Sequence, residues 1–227
     1  MAMARSVLVF DVNETLFDVR SLEPEFAELF GSAESLSEWF LRLLHALLVE
    51  TVSGGEADFA SLARAALQMT AERRRVTLAD EQADRVIARF RRLPVHPEVP
   101  AALRILRDAG FVTATLTNSP SGVVREQLAA AEIDELFEAI LSVDEVGVFK
   151  PAPQPYRMAA ERLGVPIEGV RMVAAHDWDV AGAIRAGGSA AFVARPGQPF
   201  SPVLPRPDIV GRDLQDVADR IVETDPP

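Results

Sequence analysis

The chain has 227 residues, 48% of them hydrophobic, and a formal net charge of −11, which suits one domain or a core with an inserted domain. The acidic balance speaks against nucleic acid as a partner, because phosphate binding needs a basic face, yet it leaves room for an anionic small-molecule substrate at a locally basic site. Cysteine is absent, which excludes disulfides, thiolate catalysis and cysteine metal sites; residues 1–6 lack the apolar stretch of a signal peptide, and no segment is long and apolar enough to span a membrane, so a cytoplasmic protein is expected.

Val7-Leu8-Val9-Phe10 reads as a strand buried on both faces, running straight into Asp11. A carboxylate at the C-terminal end of such a strand stands where open α/β sheets place ligands. It can serve as nucleophile, general base or metal ligand, or simply cap a turn. After Phe17 the pattern turns helical. Helices are expected over Ser21 to Phe30, closed by Gly31, Leu36 to Val52, broken by Gly54-Gly55, Phe59 to Thr70, and Asp80 to Phe90. No strand signal intervenes. Pro94-Val95-His96-Pro97 reads as a return linker, because both prolines disfavour helix.

From there helices and strands alternate. Val99 to Ala109 is a helix, Phe111 to Leu116 a strand, Ser121 to Ala131 a helix and Ala139 to Val143 a short strand. Pro155 to Leu163 is a helix, Val170 to Ala174 a buried strand, Ala190 to Ala194 a further strand, Asp208 to Val210 an edge strand and Leu214 to Val222 a terminal helix. The expected fold is therefore α/β: a doubly wound, Rossmann-like parallel sheet core over residues 1–16 and 94–227, with an inserted all-helical cap domain over residues 17–93.

Chemistry-bearing residues recur at strand ends. Thr117-Asn118-Ser119-Pro120 follows the second strand, where a hydroxyl and helix N-terminal N–H groups can cradle an anion; Ser119 alone also suits a helix N-cap. Lys150 is locked between Phe149 and Pro151, an unusual place for a solubilising charge. His176-Asp177-Trp178-Asp179 follows the fourth strand. In this order, Asp11 with Thr15, Thr117, Lys150 and Asp179 with Gly182-Ala183 resemble motifs I to IV of the haloacid dehalogenase superfamily, and the type II L-2-haloacid dehalogenases in particular. The likeness runs from Val7 to about Val210.

The resemblance implies a covalent intermediate on Asp11, which displaces halide from C2 of a short 2-haloacid, followed by hydrolysis of the aspartyl ester. Lys150 would orient Asp11 and balance its charge. Thr117 would hold the substrate carboxylate, and Asp179 would position Lys150 and the hydrolytic water. Asn118 and Trp178 would form the halide pocket, with Arg42 or His45 contributing. From the cap, Trp39, Phe40, Arg42, His45 and Phe59 are candidates to face the substrate, with core packing the competing reading for the aromatic residues. The chain also departs from its likeness. An Arg directly follows the Trp of this helix in well-known relatives, whereas here Phe40 does and Arg42 comes two positions later. Asn13 stands where they carry a Tyr, Ala174 where they carry a Ser, and His176 where they carry an Asn. His176 reads either as a second general base, since imidazole titrates near neutral pH, or as a hydrogen-bonded supporting residue.

The superfamily's magnesium phosphatases read D-x-D-x-T and G-D-x-x-x-D. Here their second Asp is Asn13, which cannot act as acid or base, and one metal carboxylate is replaced by Ala175, which leaves a poor magnesium site. No metal and no cofactor are therefore expected; magnesium would enter only with a phosphatase. The alternatives are such a phosphatase, another carbon-centred hydrolase such as one opening an azetidine carboxylate, and a non-enzymatic binding member. The likeness also allows a homodimer.

Overall fold

The computed structural model describes residues 7–225; residues 1–6, on which the signal-peptide reading rests, lie outside them. The described chain forms two compact units, one of Met1–Phe17 with Val95–Pro227 and one of Asp18–Pro94.

The first unit is built on a parallel sheet. Its strands are β1 (Val7–Phe10), β2 (Val112–Thr117), β3 (Ala139–Ser142), β4 (Val170–Ala174), β5 (Ser189–Val193) and β6 (Ile209–Gly211). They lie in the order β3-β2-β1-β4-β5-β6, and every pairing is parallel. β1 is central because all four of its residues are apolar and must be covered on both faces. Val7 and Val9 join the cluster formed with β4, β5 and two helices; Leu8 and Phe10 point the other way. The chain leaves β1 for β2 on one side and reaches β4 on the other. This reversal opens a crevice at the C-terminal ends of β1, β2 and β4.

The helices are α1 (Glu23–Phe30), α2 (Ser35–Ser53), α3 (Phe59–Arg74), α4 (Asp80–Phe90), α5 (Val99–Asp108), α6 (Ser121–Ala130), α7 (Pro153–Arg162), α8 (Asp177–Ala186) and α9 (Leu214–Thr224). α5 to α9 flank the sheet: α7 and α8 pack together on one face, and α5 pairs with α9. α8 carried no helical expectation, since Asp177, Trp178 and Asp179 break its apolar pattern. α1 starts at Glu23 rather than Ser21. Asp18 caps a short 3-10 turn first, and Pro24 then occupies a first-turn position, where its missing N–H costs nothing. α3 runs on to Arg74 because Ala71, Glu72 and Arg73 are good helix formers.

The second unit is all helical, made of α1 to α4. Its core is aromatic: Trp39 lies 5.3 Å from Phe26 and 5.6 Å from Phe90 between ring centroids. The buried Trp39 indole donates to the Ala63 carbonyl at 3.0 Å, which ties α2 to α3. Among the described residues, no helix is long and apolar enough to cross a membrane.

Candidate active site

The turn after β1 sets the first carboxylate. The N–H groups of Leu16 and Phe17 both donate to the Val12 carbonyl, at 2.9 and 3.1 Å, and Glu14 N–H donates to Phe17 O at 2.8 Å. This tight loop holds Glu14 at φ 64°, a left-handed conformation that a side chain other than Gly, Asn or Asp rarely adopts. Thr15 bridges two strand ends: its hydroxyl donates to Asp11 Oδ2 at 2.7 Å and accepts from Ala175 N–H at 2.9 Å.

Lys150 stands at the centre. Its ammonium donates to Asp11 Oδ1 at 3.0 Å, Asp179 Oδ2 at 2.6 Å and the Leu116 carbonyl at 2.7 Å. An ammonium has three protons, so its donors are fully used. The side chain is buried, and only two carboxylates can keep such a charge out of water. Tyr156 donates to the other oxygen of Asp179 at 2.6 Å. Gly182 makes room for it, because a Cβ there would lie 2.5 Å from the Tyr156 hydroxyl.

His176 closes the ring. Nδ1 lies 3.2 Å from Asp11 Oδ2 and Nε2 lies 2.6 Å from Glu14 Oε2. Burial disfavours the imidazolium, but the hydrogen bonds and charges of Asp11 and Glu14 outweigh it and push His176 up to about 10. In the resting site His176 is therefore a two-armed donor, not a base. Burial would raise Asp11, yet Lys150, His176 and Thr15 together hold it well below the usual carboxylate range. Asp179 is raised, first by burial and then by the Asp11 charge, despite Lys150 and Tyr156. The two carboxylates thus differ: Asp11 is held ionised by Lys150, Thr15 and His176, whereas Asp179, between Lys150 and Tyr156, is raised.

The remaining candidates divide. The Asn118 side chain accepts from Lys150 N–H at 2.8 Å and donates to Lys150 O at 3.4 Å, clamping the lysine backbone. Thr117 Oγ1 accepts from Ser119 N–H at 3.1 Å. Ser119 is not an N-cap; α6 starts at Ser121, and the Ser119 hydroxyl accepts from Asn13 Nδ2 at 2.9 Å. Asn13 Oδ1 is buried without a hydrogen-bond partner among the described residues. Trp178 stacks on His176 with centroids 5.0 Å apart, and Lys150 Nζ lies 6.0 Å from the Trp178 ring. In the helical unit, Phe40 is buried 6.2 Å from Trp39 and Phe59 stacks on Phe90 at 5.9 Å. Arg42 pairs with Glu38 at 3.1 Å, and His45 is exposed on a groove with Leu41 and Met69.

The donor set does not fit a magnesium ion. Asp11 and Asp179 both direct oxygens at one ammonium, Ala175 has no side-chain oxygen to offer and its N–H donates to Thr15, and Asn13 turns its nitrogen to Ser119. Among the described residues, no group of three or more His, Cys, Asp or Glu side chains is placed to hold a metal.

The model of the haloacid dehalogenase-like hydrolases matches residues 6–187. The chain belongs to the haloacid dehalogenase-like hydrolases. It is 33% identical over 195 residues to (S)-2-haloacid dehalogenase 4A of Burkholderia cepacia, covering 84% of each chain. It is 28% identical over 203 residues to haloacetate dehalogenase H-2 of a Moraxella species, covering 88% of this chain and 91% of that one. Its fold matches the L-2-haloacid dehalogenase of Xanthobacter autotrophicus with chloropropionic acid covalently bound, with a TM-score of 0.89, 27% identity and coverage of 97% and 99%.

Within this hydrolase, three contributors to the site carried no assigned role in the sequence reading. Thr15 sits in the motif itself, four residues after Asp11, and its place in D-x-x-x-T was the available signal. Tyr156 is the single tyrosine of the chain, fully buried on a helix face; a lone phenol among apolar residues needs a polar partner. Glu14 had no signal, since an acidic residue in a polar turn reads as solvated.

Proposed function

We propose that this hydrolase removes halide from short (S)-2-haloacids through an aspartyl ester on Asp11, without a metal. The observation that carries the reading is a buried, ionised carboxylate paired to Lys150 at 3.0 Å, in a site whose second phosphatase positions are Asn13 and Ala175. The relatives named (S)-2-haloacid and haloacetate dehalogenases support the substrate class.

In this reading an Asp11 oxygen attacks C2 of the substrate. The new O–C2 bond forms as the C–halogen bond breaks, and the electron pair leaves with the halide. Lys150 fixes the carboxylate and keeps it charged at neutral pH. Water then adds to the ester carbonyl carbon of Asp11, the bond from that carbon to the C2 oxygen breaks, and a 2-hydroxy acid departs with release of one proton. Thr117 and neighbouring backbone N–H groups bind the substrate carboxylate. Trp178 and Asn13 shape the halide side, and Asp179 keeps Lys150 in place.

The test is halide release from chloroacetate and racemic 2-chloropropionate in excess chelator, by the wild type and Asp11→Asn. Release by the wild type alone supports the reading. Magnesium-dependent phosphate release from a generic ester, with no halide release, would overturn it.

A further inference from the structure

The reaction proposed above needs two opposite states of the same pocket. The first step wants Asp11 ionised and held. The second wants a base beside the ester carbonyl, where the resting site offers none: Asp179 is held by Lys150 at 2.6 Å and Tyr156 at 2.6 Å. His176 is the group whose state depends on which step is under way. It touches Asp11 through Nδ1 and Glu14 through Nε2. Lys150 and Asp179 lie beyond Asp11, and the Trp178 ring covers the imidazole face. Glu14 occupies a left-handed backbone position, φ 64°, that costs a non-glycine residue roughly 1 kcal/mol or more. A glycine would carry no such cost but would bring no carboxylate to His176 Nε2.

We infer that Glu14 and His176 form a dyad that serves as general base for hydrolysis of the aspartyl ester, and that formation of the ester switches it on. The inference rests on the aspartyl-ester reading. While Asp11 is an anion, its charge keeps the proton on Nδ1. Esterification erases that charge and leaves the Glu14 carboxylate on Nε2. Nδ1 gives its proton to solvent, while Nε2–H stays on Glu14 and fixes the tautomer. The Nδ1 lone pair takes a proton from the water adding to the Asp11 carbonyl carbon. It returns that proton to the departing C2 oxygen as the tetrahedral intermediate collapses. The new Asp11 carboxylic acid passes its proton back to Nδ1, which restores the imidazolium–carboxylate pair. One proton per turnover reaches solvent, as the overall reaction requires. His176 is a catalytic residue in this scheme, and Glu14 a positioning residue that acts through it.

The experiment follows halide release in single turnover and the Asp11 adduct by intact-protein mass spectrometry, using 2-chloropropionate with the wild type, His176→Asn, Glu14→Gln and Glu14→Gly. A positioned base contributes on the order of 100-fold. His176→Asn should therefore release one halide per enzyme in a burst, accumulate the ester, and hydrolyse it on the order of 100-fold more slowly. Glu14→Gln should slow hydrolysis by roughly tenfold or more and move the acid limb of its pH profile to lower pH, because the ring loses its charged partner. Glu14→Gly should show the same hydrolysis defect with a Tm above that of Glu14→Gln, because both lose the ion pair to His176 and only glycine relieves the backbone strain, which separates chemistry from folding. Unchanged hydrolysis in all three variants, or a defect confined to the halide burst, overturns the dyad and leaves the aspartyl-ester reading standing. Absence of both halide and adduct from the wild type overturns both.

Discussion

Lys150→Met tests the electrostatic centre of the site. The substitution keeps chain length and apolar stem and removes only the ammonium. In the structure that ammonium makes contacts of 3.0 Å to Asp11, 2.6 Å to Asp179 and 2.7 Å to the Leu116 carbonyl. Asp11 and Asp179 are 5% and 0% exposed, so water cannot take its place. Removing one partner of a buried ion pair costs about 3–5 kcal/mol. With two carboxylates left facing each other, the upper part of that range is expected. For a chain of this size the loss corresponds to a fall in Tm of about 6–20 °C. The sign with pH follows from linkage. Without Lys150 the buried carboxylates have folded-state pKa values above their unfolded ones. The penalty is then full at neutral and alkaline pH and fades as falling pH protonates them. Calorimetric unfolding of both proteins at about pH 8 and about pH 5.5 reads this directly. The gap in Tm should narrow on acidification. A gap equal at both pH values, or a loss under about 1 kcal/mol, would refute the reading of Lys150 as the counter-charge of two ionised carboxylates.

Three further changes probe the surroundings. Thr15→Val removes the donor to Asp11 and leaves the buried Ala175 N–H unpaired; the expected loss is about 1–3 kcal/mol, read by urea denaturation, with slower halide release because Asp11 loses one of the groups that hold it ionised. Gly182→Ala places a Cβ 2.5 Å from the Tyr156 hydroxyl and 2.7 Å from Pro151 Cβ. It should displace Tyr156 from Asp179 and lower kcat more than it changes KM, and steady-state kinetics beside Tyr156→Phe should give matching defects. His176 has a folded-state pKa of about 10 against 6.5, so its stabilisation is fully present below about pH 6.5 and is lost as pH rises toward about 10. The Tm deficit of His176→Asn should accordingly shrink on titration into the alkaline range, and a deficit constant with pH would contradict a charged imidazole.

The sheet and most helices were legible in the sequence because each depends on local pattern. Val7 to Phe10 is an unbroken apolar run, and a strand covered on both faces needs nothing else. α4 falls at Asp80–Phe90 and β4 at Val170–Ala174 as the periodicity predicts, since apolar spacing and burial coincide there. α8 escaped because its first turn spends Asp177 and Asp179 on polar contacts and Trp178 on the His176 ring rather than on an apolar stripe. The motif order likewise singled out Asp11, Lys150 and Asp179, and the fold brings the three side chains into one hydrogen-bonded cluster.

What no linear reading could decide is who holds whom. Lys150 is separated by 139 residues from Asp11 and by 29 from Asp179, and the parallel pairing of β1, β2, β3 and β4 brings them within one hydrogen bond. Asn118 has the composition of a halide-pocket residue but is turned onto the Lys150 backbone. Tyr156 looks like core until Asp179 arrives beside it across 23 residues. His176 has an ordinary titration range in sequence, and its resting charge is set by two carboxylates that the folded loop delivers to its two nitrogens. Residue type determined which chemistries were available here. Tertiary placement alone decided the protonation states, because burial and the distance between charges do not exist until the chain has folded.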